Sequence, residues 1–189
     1  MLLALQDDPS EFVRRSVANH LNDIAKDHPA LVAQWLERHL PGAPAQRIAL
    51  LRHASRSLVK RGNPRMLHAW GFGQPLVGEA VPGIEPAVAV LGGAVGLSVE
   101  LRSTAAHPQL LVIDYAVHHL KADGGGSPKV FKGWALTLAA SAHCRLARRH
   151  SLRPVTIRTY RAGVHAVDLR INGQVVARSQ FELRLAAAD

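Results

Sequence analysis

An α-solenoid of helical repeats followed by an antiparallel immunoglobulin-like β-sandwich is the fold class this sequence predicts. Three observations carry it. A long helix followed by a proline-initiated one recurs, Pro29 and Trp35 being answered 35 residues later by Pro64 and Trp70. After Gly71-Phe-Gly-Gln-Pro75 the hydrophobic period changes from helical to alternating. Six short strand-like runs then follow with no helical stretch between them. The boundaries read as 1–74 for the incomplete solenoid, 75–86 for a linker and 87–189 for the sandwich.

Asp8 to Pro29 reads as an amphipathic helix. Val13, Val17, Leu21 and Ile24 share one side, while Arg15, Asn19, Asn22, Asp23 and Lys26 fall within about 100° of arc on the other. A solvated face is usually rich in Glu and Lys. This one carries two amides, a single carboxylate and cations at both ends, a set suited to a polyanion with one acid held in reserve. His20, at the edge of the apolar side, reads as a packed histidine. Pro29 opens the second helix, since a helix tolerates proline in its first turn. In the next repeat Leu51, Leu58 and Lys60 answer Val17, Ile24 and Lys26, and Gly62 is a natural C-cap. Trp35 and Trp70 hold equivalent positions, so packing explains both. A solenoid needs about three repeats to bury its core, so two predict an apolar side that missing N-terminal repeats would cover.

The strand-like runs are Val95–Arg102, Leu110–His119, Lys129–Leu138, Val155–Tyr160, Val164–Ile171 and Gln174–Leu185. Asn172-Gly173 between the last two is a hairpin signal, and Ala106-His-Pro108 and Gly124-Gly-Gly-Ser-Pro128 read as turns. Pro82–Pro86 reads as linker or first edge strand.

With 23 Lys and Arg against 14 Asp and Glu, the formal charge is +9. The excess is +4 up to Gln74 and +5 beyond it, so both halves carry the field that favours an anionic partner. The one cysteine, Cys144, excludes an intramolecular disulfide and a cysteine-built zinc site. No run reaches the about 18 apolar residues of a membrane span, and no metal set or phosphate-binding glycine motif is present.

Arg52, Arg56 and Lys60 follow one another at i, i+4 and i+8 with His53 beside them and no acid in range. Such repulsion costs a few tenths of a kcal/mol per pair, and a chain that accepts it has an anion to meet. Complementing the helix C-terminus explains Lys60 but not Arg52 or Arg56. Asp23 is either an ion-pair partner of Lys26 or Arg15, or a group that stabilises positive charge on a sugar. In the second half Lys129, Lys132, Arg148, Arg149, His150, Arg153, Arg158 and Arg161 crowd turns and strand ends, which reads as a second phosphate-gripping surface.

The stretches Glu11–Pro29 and Arg52–Pro64 resemble the last repeats of the HEAT-repeat DNA alkylation repair glycosylases, the family of the AlkC and AlkD enzymes. Val117–Ala122, Pro128–Gly133 and Arg148–Pro154 resemble the immunoglobulin-like domain that follows the repeats in some AlkC members. The resemblance implies hydrolysis of the N-glycosidic bond of N3-alkylated purines such as 3-methyladenine in duplex DNA, without cofactor or metal. It implies Asp23 as the carboxylate and Arg14, Arg15, Asn19, Asn22, Arg52, His53, Arg56 and Lys60 as DNA contacts. Lys129, Lys132, Arg148 and Arg149 are the contacts expected from the second half. The protein is then a cytoplasmic, nucleoid-associated monomer, and because family members carry further repeats ahead of this point, the match is to their C-terminal part. Two other readings stay open: a non-catalytic DNA-binding module, and a scaffold for protein interactions.

Overall fold

The computed structural model describes residues 1–121, 125–156 and 159–185. The chain divides into two compact units, Met1–Gln74 and Pro75–Asp189.

The first unit holds helices α1 (Leu2–Leu5), α2 (Glu11–Asp27), α3 (Pro29–His39), α4 (Ala45–Arg61) and α5 (Pro64–Ala69). Asp8 Oδ1 accepts from Ser10 N at 2.8 Å and turns the chain into α2. Pro29 and Pro64 each occupy a first turn, and Asn63 Oδ1 caps α5 by accepting from Met66 N at 3.0 Å. Gly62 ends α4 at φ 74°, a left-handed value that costs glycine nothing. Val17, Leu21, Val32, Leu36, Leu51, Leu58 and Met66 form the core, with Trp35 and Trp70 packed against it. Arg65 and Glu37 pair bidentately at 2.6 Å, and Arg47 pairs with Asp7. His20 is exposed rather than packed.

The second unit holds β1 (Gly78–Glu85), β2 (Val88–Val90), β3 (Ala94–Ser103), β4 (Gln109–Leu120), β5 (Gly126–Leu138), β6 (His143–Ser151), β7 (Gly163–Ile171) and β8 (Gln174–Arg184). One sheet has the order β1-β3-β6 and the other β2-β8-β7-β4-β5. Val95, Val99 and Leu101 of β3 alternate inward, and the cores join Val95, Leu97, Tyr115, Val167 and Phe181, and Val99, Leu111, Ile113 and Ile171. Asn172 and Gly173 take φ 48° and 81°, the paired positive values of a tight β7–β8 hairpin turn.

This arrangement corrects the predicted fold class. The described residues contain five helices, one of four residues and one of six, and no stack of repeats; the 35-residue echo reflects only two parallel long helices, each followed by a proline-started shorter one. The β-half is not purely antiparallel either. β2 pairs in parallel with β8, Val88 opposite Glu182. The expected linker 75–86 contains β1, an edge strand as the alternative reading of Pro82–Pro86 had it, which pairs with β3 along its whole length because Ala80, Pro82 and Ile84 turn inward opposite Leu101, Val99 and Leu97. The Arg-rich strand β6 escaped notice, and of the expected strand Val155–Tyr160, Ile157 and Arg158 lie outside the described residues while Val155 makes only an isolated bridge. Gly124 also lies outside them, and β5 already begins at Gly126 where a turn was expected. Among the described residues no helix is long and apolar enough to cross a membrane.

Candidate nucleic-acid interface

Helices α2 and α4 lie side by side and run in the same direction, because their cross-contacts keep a nearly constant sequence offset. Asn19 meets His53, and Asn22 meets Ser57. Asn19 Oδ1 lies 2.8 Å from His53 Nε2 and accepts from Arg56 Nη2 at 3.3 Å. Arg56 Nη1 also donates to the His53 carbonyl at 2.7 Å, so the guanidinium is held against the helix rather than free to sweep. Burial, and then the cations Arg56 and Arg15, push the His53 imidazole below its ordinary pKa. A groove of about 230 Å³ opens beside it, lined by Glu11, Arg14, Arg15, Ala18, Gln46, Ala49, Leu50 and His53.

The residues singled out in this half do not all share one role. Arg15, Arg52, Arg56 and Lys60 are exposed and make no ion pair among the described residues. Arg52 lies over the Trp70 ring, 5.5 Å from its centroid, while the indole N–H donates to Ser55 Oγ at 3.0 Å. Arg14 is spent locally, donating to the carbonyls of Asp8 at 2.6 Å and Pro9 at 2.9 Å. Asn22, placed by the wheel on the polar face, is buried instead and accepts from Ser57 N at 3.3 Å. A helix-wheel angle cannot foresee a second helix packing over that edge. Asp23 is exposed and accepts from Lys26 Nζ at 2.7 Å; that bond, and the charge behind it, hold its carboxyl below the usual aspartate range.

In the second unit the expected basic surface disperses. Adjacent residues of a strand face opposite ways, so Arg148 and Arg149 cannot share a surface. Arg148 turns into the gap between β6 and β5, donating to the carbonyls of Lys132 and, at 3.0 Å, Gly133 and lying over the Tyr115 and Trp134 rings. Lys129 sits over Phe131 at 5.3 Å, while Lys132 stands opposite Asp114 on the other face of β5. Sequence reasoning missed Glu11 and Gln46 in the groove. It also missed Asp168, which joins His118 Nε2 at 2.7 Å and Arg178 Nε at 2.6 Å. The offset that aligns Asn19 with His53 was present in the repeat spacing and could have located the groove. Among the described residues no three His, Cys, Asp or Glu side chains are placed to hold a metal.

Residues 80–185 match the family model described as "Uncharacterised protein YhaZ, C-terminal Ig-like domain". The chain belongs to this family. Over 97% of its length it is 30% identical to "Uncharacterized protein YhaZ" of Bacillus subtilis, of which it covers 51%. It also superposes on the Pseudomonas fluorescens alkylpurine DNA glycosylase AlkC, solved bound to DNA containing an abasic site analog, with a TM-score of 0.92 and 42% identity. That match covers 97% of this chain and 51% of AlkC. The YhaZ-family chain thus spans about half the length of the relatives it matches.

Proposed function

We propose that the chain grips duplex DNA as part of an alkylpurine-DNA glycosylase. The observation that carries this reading is the 0.92 TM-score and 42% identity to AlkC across 97% of the chain. The α2–α4 face supports it: Arg15, Arg52, Arg56 and Lys60 are charges without carboxylate partners, available to phosphates. In this reading Asp23 is the catalytic carboxylate. An N3-alkylated purine is cationic and departs as a neutral base, so little acid assistance is required. Positive charge develops on the deoxyribose, and an ionised carboxylate beside it stabilises that charge. An aspartate is ionised at neutral pH without help from a neighbour, so Lys26, which now holds Asp23, can yield its place to the sugar.

A second reading, a DNA-binding module without catalysis, is favoured by the exposure of Asp23, whose side chain is 67% accessible and far from the dry setting in which a fixed charge acts most strongly. One experiment separates the two. The 189-residue chain and its Asp23→Asn variant are incubated with methylated duplex DNA and released 3-methyladenine is measured. Release lost in the variant supports the catalytic role. Equal release by both rules it out for Asp23, and DNA binding without release supports the module.

A further inference from the structure

The polar side chains lining the groove between α2 and α4 are Glu11, Arg14, Arg15, Gln46 and His53, and Asn19 Oδ1 faces the His53 ring. Asn19 Oδ1 already accepts from Arg56, which identifies it as the carbonyl oxygen, so His53 Nε2 must carry the hydrogen that faces it. In the neutral ring the lone pair is then on Nδ1. The charged and titratable groups about this ring are Glu11, Arg14 and Arg15 from α2 and Arg56 from α4, with Arg52 next to it in the chain. Arg14 is bound to backbone carbonyls, which leaves Arg15 and Arg56 as the cations that suppress an imidazolium.

Resting on the DNA-binding reading above, we infer that His53 is a proton-linked phosphate contact, taking up one proton when a backbone phosphate of duplex DNA enters the α2–α4 groove. A phosphate cannot approach a bare nitrogen lone pair without repulsion. Seated between Arg15 and Arg56, however, it neutralises the two charges that add to burial in keeping the ring unprotonated, and offers an acceptor to a new Nδ1–H. The Asn19 bond is the same in both states, because Oδ1 accepts from Nε2–H whether or not Nδ1 is protonated. Uptake therefore needs no rearrangement of the helices.

The sign follows from linkage. The ring's pKa lies below its ordinary 6.5 in the free protein and rises in the complex. Between the two values affinity increases as pH falls, by up to about tenfold per pH unit. The test is fluorescence anisotropy of a labelled unmodified duplex from about pH 8 to about pH 5.5 at fixed ionic strength, with calorimetry in buffers of differing ionisation heat to count protons. His53→Gln keeps an N–H for Asn19 and should lose this acid-side gain and about one proton of uptake, whereas His20→Gln should keep both. Nitrogen chemical shifts of the His53 ring in the parent protein, with and without DNA, read the protonation without any variant. Equal pH slopes and proton counts for parent and His53→Gln, or a ring that stays neutral in the complex, overturn the inference while leaving DNA binding intact. Absence of binding at every pH overturns both.

Discussion

Replacing Arg52 and Lys60 with glutamine removes two of four exposed cations on the α2–α4 face that make no ion pair among the described residues, Arg15, Arg52, Arg56 and Lys60, and leaves the Arg56–Asn19–His53 contacts in place. Each phosphate neutralised releases condensed counterions, so log affinity falls with log salt at a slope of about −0.9 per contact. Four contacts give a slope of roughly −3.6, and raising salt from about 50 to about 200 mM then weakens binding roughly 150-fold. With two contacts left the slope is roughly −1.8 and the loss over the same range roughly 12-fold. Cations of the second unit add to both slopes equally, so the difference of roughly 1.8 is the diagnostic quantity. Anisotropy titrations of a labelled duplex at several salt concentrations measure it. Both side chains are exposed, and relief of the i,i+4 repulsions, worth a few tenths of a kcal/mol, partly offsets the lost Arg52–Trp70 contact, worth about 0.5–1 kcal/mol, so the protein should stay folded through the titrations. A double variant with the parent's slope would refute the assignment of this face to phosphates.

Stability should respond at two places in the second unit. Asn172 Oδ1 accepts from Val112 N at 2.8 Å and its Nδ2 donates to Leu110 O at 3.1 Å, so Asn172→Gly should cost about 2 kcal/mol in denaturant unfolding. Asn172→Ala should cost about 1 kcal/mol more, from the left-handed φ of 48°; equal losses would remove the conformational part of the argument. Burial alone would raise the Asp168 carboxyl, but Arg178 and then His118 overcome it and hold its pKa below the ordinary 3.8. Its contribution is therefore present above pH 3.8 and lost as pH falls through the lower folded value. Asp168→Asn should cost about 1.5–3 kcal/mol at neutral pH, with the gap from the parent closing in acid. A gap that widens in acid would contradict the sign.

Local signals in the sequence were read where the physics is local. Gly62 at a left-handed C-cap, Pro29 and Pro64 in first turns, and the Asn172-Gly173 hairpin each follow from one or two residues. Strands β3, β4, β7 and β8 showed their alternation because one face of each is buried. β6 did not, since its inward side carries Cys144, Leu146, Arg148 and His150 and so has little contrast with its outward arginines. The parallel seat of β2 on β8 joins residues far apart in sequence, and no local pattern encodes it. At the site, the arginine row could be seen at i, i+4 spacing, but the burial of Asn22 and the local use of Arg14 depend on what packs beside α2. The cations expected to form a second basic surface are divided between faces for a simpler reason: charge counts ignore the alternation of a strand.

The pairing of β2 with β8 also sets the order of events during synthesis. Val88 cannot find Glu182 until nearly the whole unit has left the ribosome, and β7 likewise waits for β8 along its outer edge. Until then β4, β5 and β7 can associate through β4 alone, with one flank of the sheet open to any strand that encounters it. Pauses or breaks in translation before residue 174 should therefore yield aggregating fragments rather than a smaller folded domain. Fusion partners are better placed so that β8 is free to dock as it emerges.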